Sequence, residues 1–307
     1  MRKSLFLFAI AAMLLSCKAT NEPKNAQYVD VTVSLAGLDI QITPEDAPRR
    51  APMESDQNAT QAKVKRIALN IYDLNGTLIQ SETQNYDVDA DNFGNAMTFR
   101  LAAGSYKFVA VAHAVADATD PVATINSVSE ISFGATTVAN PTYTTVQDVT
   151  ISGNTTQSVV IDMGTRKNSS FAIALTDANP AEVAKLQVIA SPASTAYTNL
   201  VVNPATGLAT SQWKYEKTWV FAQLNNFTNT MGKNFTLPLM LTATTQTLDF
   251  TINALSATDE VLFTRTLTNV TVQQAHKTMA TGTFFSPETT SSFVFDITEI
   301  VDNISLD

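Results

Sequence analysis

Few residues in this chain have the type and spacing that chemistry needs. There are two histidines, His113 and His276, and a single cysteine, Cys17. Catalysis requires several ionisable groups to converge. His113 falls out of phase with Tyr106, Phe108, Ala110 and Ala112, on the face of Val109 and Val111. A structural histidine is the expected occupant of that position. His276 stands beside Lys277 in a turn-like stretch and reads as solvated. No serine lies in a nucleophile-elbow pattern, and a lone cysteine offers neither a disulfide nor a thiolate cluster for zinc. The pattern argues against an enzyme, and no cofactor or metal centre is expected.

The sharpest ligand candidate is the run Asp87-Val88-Asp89-Ala90-Asp91-Asn92. Alternating aspartates open calcium loops, but Gly94 then falls two places late and Thr98 stands where a bidentate Glu belongs. Two readings follow: a weak calcium site at Asp87, Asp89 and Asp91, or a plain polar loop. Trp213, Tyr215 and Trp219 also admit two readings, sugar stacking or core packing, since sandwich interiors bury such rings.

The elements that would position these residues begin after a leader. Arg2 and Lys3 precede an apolar run from Leu5 to Leu15, too short for the roughly 20 residues that span a bilayer. Residues 1–16 therefore read as a signal peptide. Leu14-Leu15-Ser16-Cys17 resembles a bacterial lipobox, which makes Cys17 the lipidated, palmitate-bearing first residue; the alternative is an ordinary signal peptide with a stray thiol. Without the leader, 17 basic residues face 28 acidic ones, a net charge of −11. Nucleic acid binding needs clustered Lys and Arg, so it is excluded. An anionic bilayer repels such a chain, and attachment to the outer membrane falls to the lipid. Residues 17–27 are polar and aperiodic, a tether.

Thr makes up about one residue in seven, and the apolar fraction is 45%. That composition favours half-buried strands. Val29, Val31, Val33 and Leu35 alternate with polar residues, the period of one buried strand face. Thr43 to Gln61 carries Pro44, Pro48 and Pro52 and reads as an exposed loop. Ile67, Leu69 and Ile71, then Asp73-Leu74-Asn75-Gly76, then Leu78-Ile79 predict a hairpin. Further strands are predicted at Met97–Leu101, Tyr106–Ala112, Val159–Met163, Phe171–Leu175 and Trp213–Phe221, and others on to Phe293–Ile300. Asn179, Pro180 and Glu182 predict one short helical turn. Many short strands at this spacing argue for sandwiches. The fold expected is all-β with two tandem β-sandwich domains, residues 28–164 and 165–307.

Several stretches resemble the fimbrillin-like family of Bacteroidetes: Lys63 to Leu78, the turn from Leu101 to Phe108, Thr165-Arg166, and Asn269-Val270 through His276-Lys277-Thr278 to Gly282-Thr283-Phe284-Phe285. The resemblance implies transthyretin-like sandwiches in a lipoprotein precursor, acting as a fimbrial subunit or anchor at the cell surface in adhesion and biofilm. It implies other fimbrial subunits as partners, the outer membrane through the lipid, and ligands on host or bacterial surfaces. Polymerising members lose their first strand to an arginine-specific protease, and a neighbour's strand fills the groove. Arg50-Ala51, after Arg49, is the matching bond; the alternative is a soluble dibasic pair in a loop. Phe293, Phe295 and Ile297 read as a core strand or a donated one. A rival assignment is a monomeric glycan-binding lipoprotein of the outer membrane.

Overall fold

The computed structural model describes residues 27–38, 64–86, 88, 91–114, 122–133, 141–153, 155–191, 200–224, 227–286 and 293–300. Within them the chain is nearly all strand, as the alternation predicts. The first half contains β1 (Tyr28–Ala36), β2 (Arg66–Asp73), β3 (Leu78–Asn85), β4 (Met97–Ala102), β5 (Gly104–His113), β6 (Ala123–Ser127), β7 (Glu130–Phe133), β8 (Thr142–Ile151) and β9 (Gln157–Asp162). The second contains β10 (Ser169–Leu175), β11 (Lys185–Ser191), β12 (Leu200–Val202), β13 (Glu216–Val220), β14 (Asn234–Leu239), β15 (Thr245–Leu255), β16 (Val261–Gln273), β17 (His276–Gly282) and β18 (Phe293–Glu299). One 3-10 turn, Phe221–Gln223, follows β13.

In the first half, sheets ordered β4-β1-β9 and β3-β2-β5-β8 share one core, in which Val31, Ile67, Leu69 and Phe108 are fully buried. In the second, β14-β10-β17-β18 and β13-β11-β15-β16 enclose another, where Phe171 stacks on Phe250 at 3.6 Å between ring centroids. The wiring repeats. β1 runs antiparallel to β4 and parallel to β9, and β10 runs antiparallel to β14 and parallel to β17.

A fifth sheet, β12-β7-β6, draws strands from both halves. Leu200 to Val202 pair antiparallel with Phe133 to Ile131, so β12 completes the β6–β7 hairpin. The second core continues beneath it through Phe133, Ile131, Val109 and Val111 to Tyr72. The Tyr72 hydroxyl and the Asn70 side-chain amide both donate to the Ile125 carbonyl. At the crossing from one half to the other, the Lys167 N–H donates to the Thr142 carbonyl. The Lys167 stem lies against Gly207, where a Cβ would sit 2.5 Å from Lys167 Cγ. With φ at +71°, that position takes glycine on both counts.

The β2–β3 hairpin forms as its turn chemistry predicts. Asp73 Oδ1 accepts from the N–H groups of Asn75 and Thr77, and Gly76 takes φ +81°. Other expectations are corrected. Asn179 does not cap the turn expected there: its side-chain oxygen accepts from the Thr230 N–H, and its amide donates to the carbonyls of Pro180 and Val183. The single turn itself forms, closed by the Val183 N–H donating to the Pro180 carbonyl. The strand expected from Trp213 to Phe221 is shorter, Glu216–Val220. β6, β7, β8 and β12 lie outside the strands expected from the sequence.

Candidate assembly site

The pairing of β1 makes it the site of interest. Six residues of β1, Tyr28 to Val33, face Ala102 to Met97 on β4, and six, Val31 to Ala36, face Gln157 to Asp162 on β9. Val29, Val31 and Val33 are buried, pointing into the core with Phe99, Leu101 and Ile161. Burying one valine side chain contributes about 1.5–3 kcal/mol. β1 is therefore a central strand of its sheet and the first strand of the described residues. It ends at Gly37, φ +77°, where a Cβ would press on Asp162 and Gly164. A gap left there would expose two strand edges and three apolar pockets, the features that accept an added strand.

The predicted lipidation site Cys17, the predicted cleavage bond Arg50-Ala51, and two of the calcium candidates, Asp87 and Asp89, lie outside the described residues. Asp91 is exposed, and its carbonyl accepts from the Asn95 side chain. Among the described residues no group of three His, Cys, Asp or Glu side chains is placed to hold a metal. His113 is buried with Nε2 accepting from the Ala123 N–H and Nδ1 facing the Ala114 carbonyl, which fixes a neutral tautomer. Its ring meets Phe133 edge-on. His276 opens β17, half-buried.

Trp213, Tyr215 and Trp219 do not form a sugar platform, since all three are buried. Trp213 packs edge-on against Tyr215, and Trp219 against Phe235. The Tyr215 hydroxyl donates to the Met240 carbonyl. Lys217 lies over Trp219, with Nζ 5.1 Å from the ring centroid. Burial pushes its ammonium below the ordinary 10.5. The folded state then binds fewer protons than the unfolded one between the depressed value and 10.5, so stability rises with pH across that window. The ammonium's bond to the Thr236 carbonyl is long, 3.4 Å, so Lys217→Met is expected to raise stability near neutral pH. In urea titrations that advantage shrinks as pH climbs toward 10.5. An advantage that stayed constant across the range would rule out the ammonium's burial as its cause.

One cluster was invisible in the sequence. Asp177 accepts from the backbone N–H groups of Phe284, Phe285 and Ser286 at 2.7–3.1 Å. Arg265 donates to the carbonyls of Phe284 and Ser286 from the other side. Charge-assisted bonds of this kind are the strong ones, and they fix the segment leading from β17 toward β18. β18 itself pairs along β17 from Phe293↔Gly282 to Glu299↔His276. It is not a core strand. Val294, Phe295 and Ile297 are 69%, 45% and 42% exposed, and only Phe293 packs partly against the second core.

A family model described as fimbrillin-A associated anchor proteins Mfa1 and Mfa2 matches residues 26–303. The chain belongs to that family. Membership in the Mfa2 family places it among structural and anchoring proteins of fimbriae, which are cell-surface appendages, and points away from catalysis. Among solved structures, the fimbrial anchor protein Mfa2 from Porphyromonas gingivalis is similar at 11% identity, covering 88% of this chain and 97% of that one, with a TM-score of 0.47. A C-terminally truncated tip fimbrial protein Mfa3 from the same organism is similar at 9% identity, covering 90% and 100%, with a TM-score of 0.41. A search of curated proteins returns no match.

Proposed function

We propose that this Mfa2-family chain serves fimbriae, in adhesion and biofilm, in one of two forms: as a membrane anchor it keeps β1 and the lipid on Cys17 at the outer membrane, and as a polymerising subunit it sheds both by cleavage after Arg50 and assembles by β-strand donation. The observation that carries the reading is the place of β1. It is a short apolar strand, flanked on both sides, at the start of the fold, and the dibasic pair follows it in residues 39–63. Excision after Arg50 would open the slot between β4 and β9, and an alternating strand from a neighbouring subunit would restore the lost ladder and the three pockets. Among the described residues β18 lies at the edge of its sheet, and that place and its exposed side chains suit the reciprocal role of donor. With Trp213, Tyr215 and Trp219 buried, the rival glycan-binding assignment loses the platform it relied on.

The test uses cells expressing the full precursor. Arg50→Ala is expected to trap a lipidated monomer, whereas the natural chain enters filaments seen by electron microscopy. Filaments assembled from Arg50→Ala chains at the natural level would exclude donation through an opened β1 slot. Metabolic labelling with an alkyne fatty acid, lost in Cys17→Ser, reads the anchor separately.

A further inference from the structure

A polar cleft of about 440 Å³ opens at the start of β1, lined by Tyr28 and Asp30 of β1, Arg100 of β4, and Thr155 and Thr156 just before β9. Three strands of one sheet thus converge on it. Asp30 and Arg100 face each other directly in the β1–β4 register, both on the solvent face. Among the described residues no ion pair joins them, and neither side chain is committed to a hydrogen bond. The Arg100 guanidinium sits 5.7 Å from the Tyr28 ring centroid, which steadies both groups without using their hydrogen-bonding capacity on each other. Beyond the cleft, the same face continues as hydroxyls, with Thr32 of β1 between Thr98 of β4 and Ser158 of β9.

We propose that this cleft is a subsite for a neutral, polyhydroxylated ligand, a sugar unit of a surface glycan. The chemistry selects the class. A guanidinium donates only, a carboxylate accepts only, and a threonine hydroxyl does either. A pair of vicinal alcohols satisfies all three, accepting from Arg100 while donating to Asp30. An anionic ligand meets Asp30 and a chain of net charge −9. A cation meets Arg100. Tyr28 supplies the apolar surface against which the C–H side of a sugar ring packs. This inference is independent of strand donation, except that β1 supplies Tyr28 and Asp30, so a chain stripped of β1 loses the cleft as well.

The experiment is saturation-transfer NMR on the purified full-length protein in detergent. The probes are methyl glycosides of glucose, galactose, mannose, fucose and N-acetylglucosamine, with sialyllactose as the anionic comparator. At least one neutral glycoside is expected to show saturable transfer. Arg100→Ala and Asp30→Ala are each expected to weaken it about tenfold or more, the effect of losing hydrogen bonds to a charged group. Asp148→Ala, at the exposed Lys107 pair in the other sheet, leaves it unchanged. Because Asp30 and Arg100 are exposed, thermal melts of the variants should overlay the natural protein. Silence from all five neutral probes, binding that survives both substitutions, or preference for sialyllactose each overturns the proposal. Filament assembly, scored separately by microscopy, is not moved by any of these outcomes.

Discussion

Val31→Asp is expected to unfold the first half of the molecule, whereas Thr32→Asp, one residue along the same strand, is tolerated. Val31 is fully buried between β4 and β9, and Thr32 points outward between Thr98 and Ser158. An aspartate at position 31 has no partner in its pocket, and the burden of burying it is on the order of 4–5 kcal/mol or more. At position 32 the expected change stays within about 1 kcal/mol, as for other surface substitutions. Urea denaturation and amide exchange of β4 and β9 read the difference. Equal stability of the two variants would show that β1 is not a structural member of its sheet, and the strand-donation reading would fall with it.

The second large effect is at the junction. Phe133→Ala removes a buried ring that contacts His113 and stands opposite Leu200. The loss expected is about 3–5 kcal/mol, as for other buried aromatic truncations. Because the core beneath β7 is continuous with that of the second half, calorimetry is expected to show one endotherm, displaced downward by about 5–15 °C in the variant. Two separable endotherms in the natural protein, one of them unmoved by Phe133→Ala, would establish that the halves melt independently.

The strands that read clearly from sequence are those whose inward row is purely apolar. Val29, Val31 and Val33 in β1 and Ile67, Leu69 and Ile71 in β2 are all buried, so period two and burial coincide. β8 hid because Thr142 and Thr144 occupy buried positions, and threonine gives no sign of which way it faces. The β6–β7 turn closes through Ser127 and Ser129 hydroxyls, without the Asn-Gly signal that marked β2–β3. β12 is three residues long and owes its existence to a partner in the other half. In β18 the alternation was visible, but Val294, Phe295 and Ile297 are exposed, and no local pattern reveals whether a second layer covers a strand. Asp177 and its three donors lie more than a hundred residues apart, so that contact belongs to the tertiary fold alone.

The placement of β1 between one antiparallel and one parallel neighbour has a mechanical consequence. Tension entering the chain at Gln27 runs along the strand axis, while the rungs to β4 and β9 lie across it. Such a load is shared by both ladders at once, in shear, and does not peel the rungs away singly. Under a pull applied at that end, the first strand serves as a pinned strap, strongest in the direction in which it is pulled.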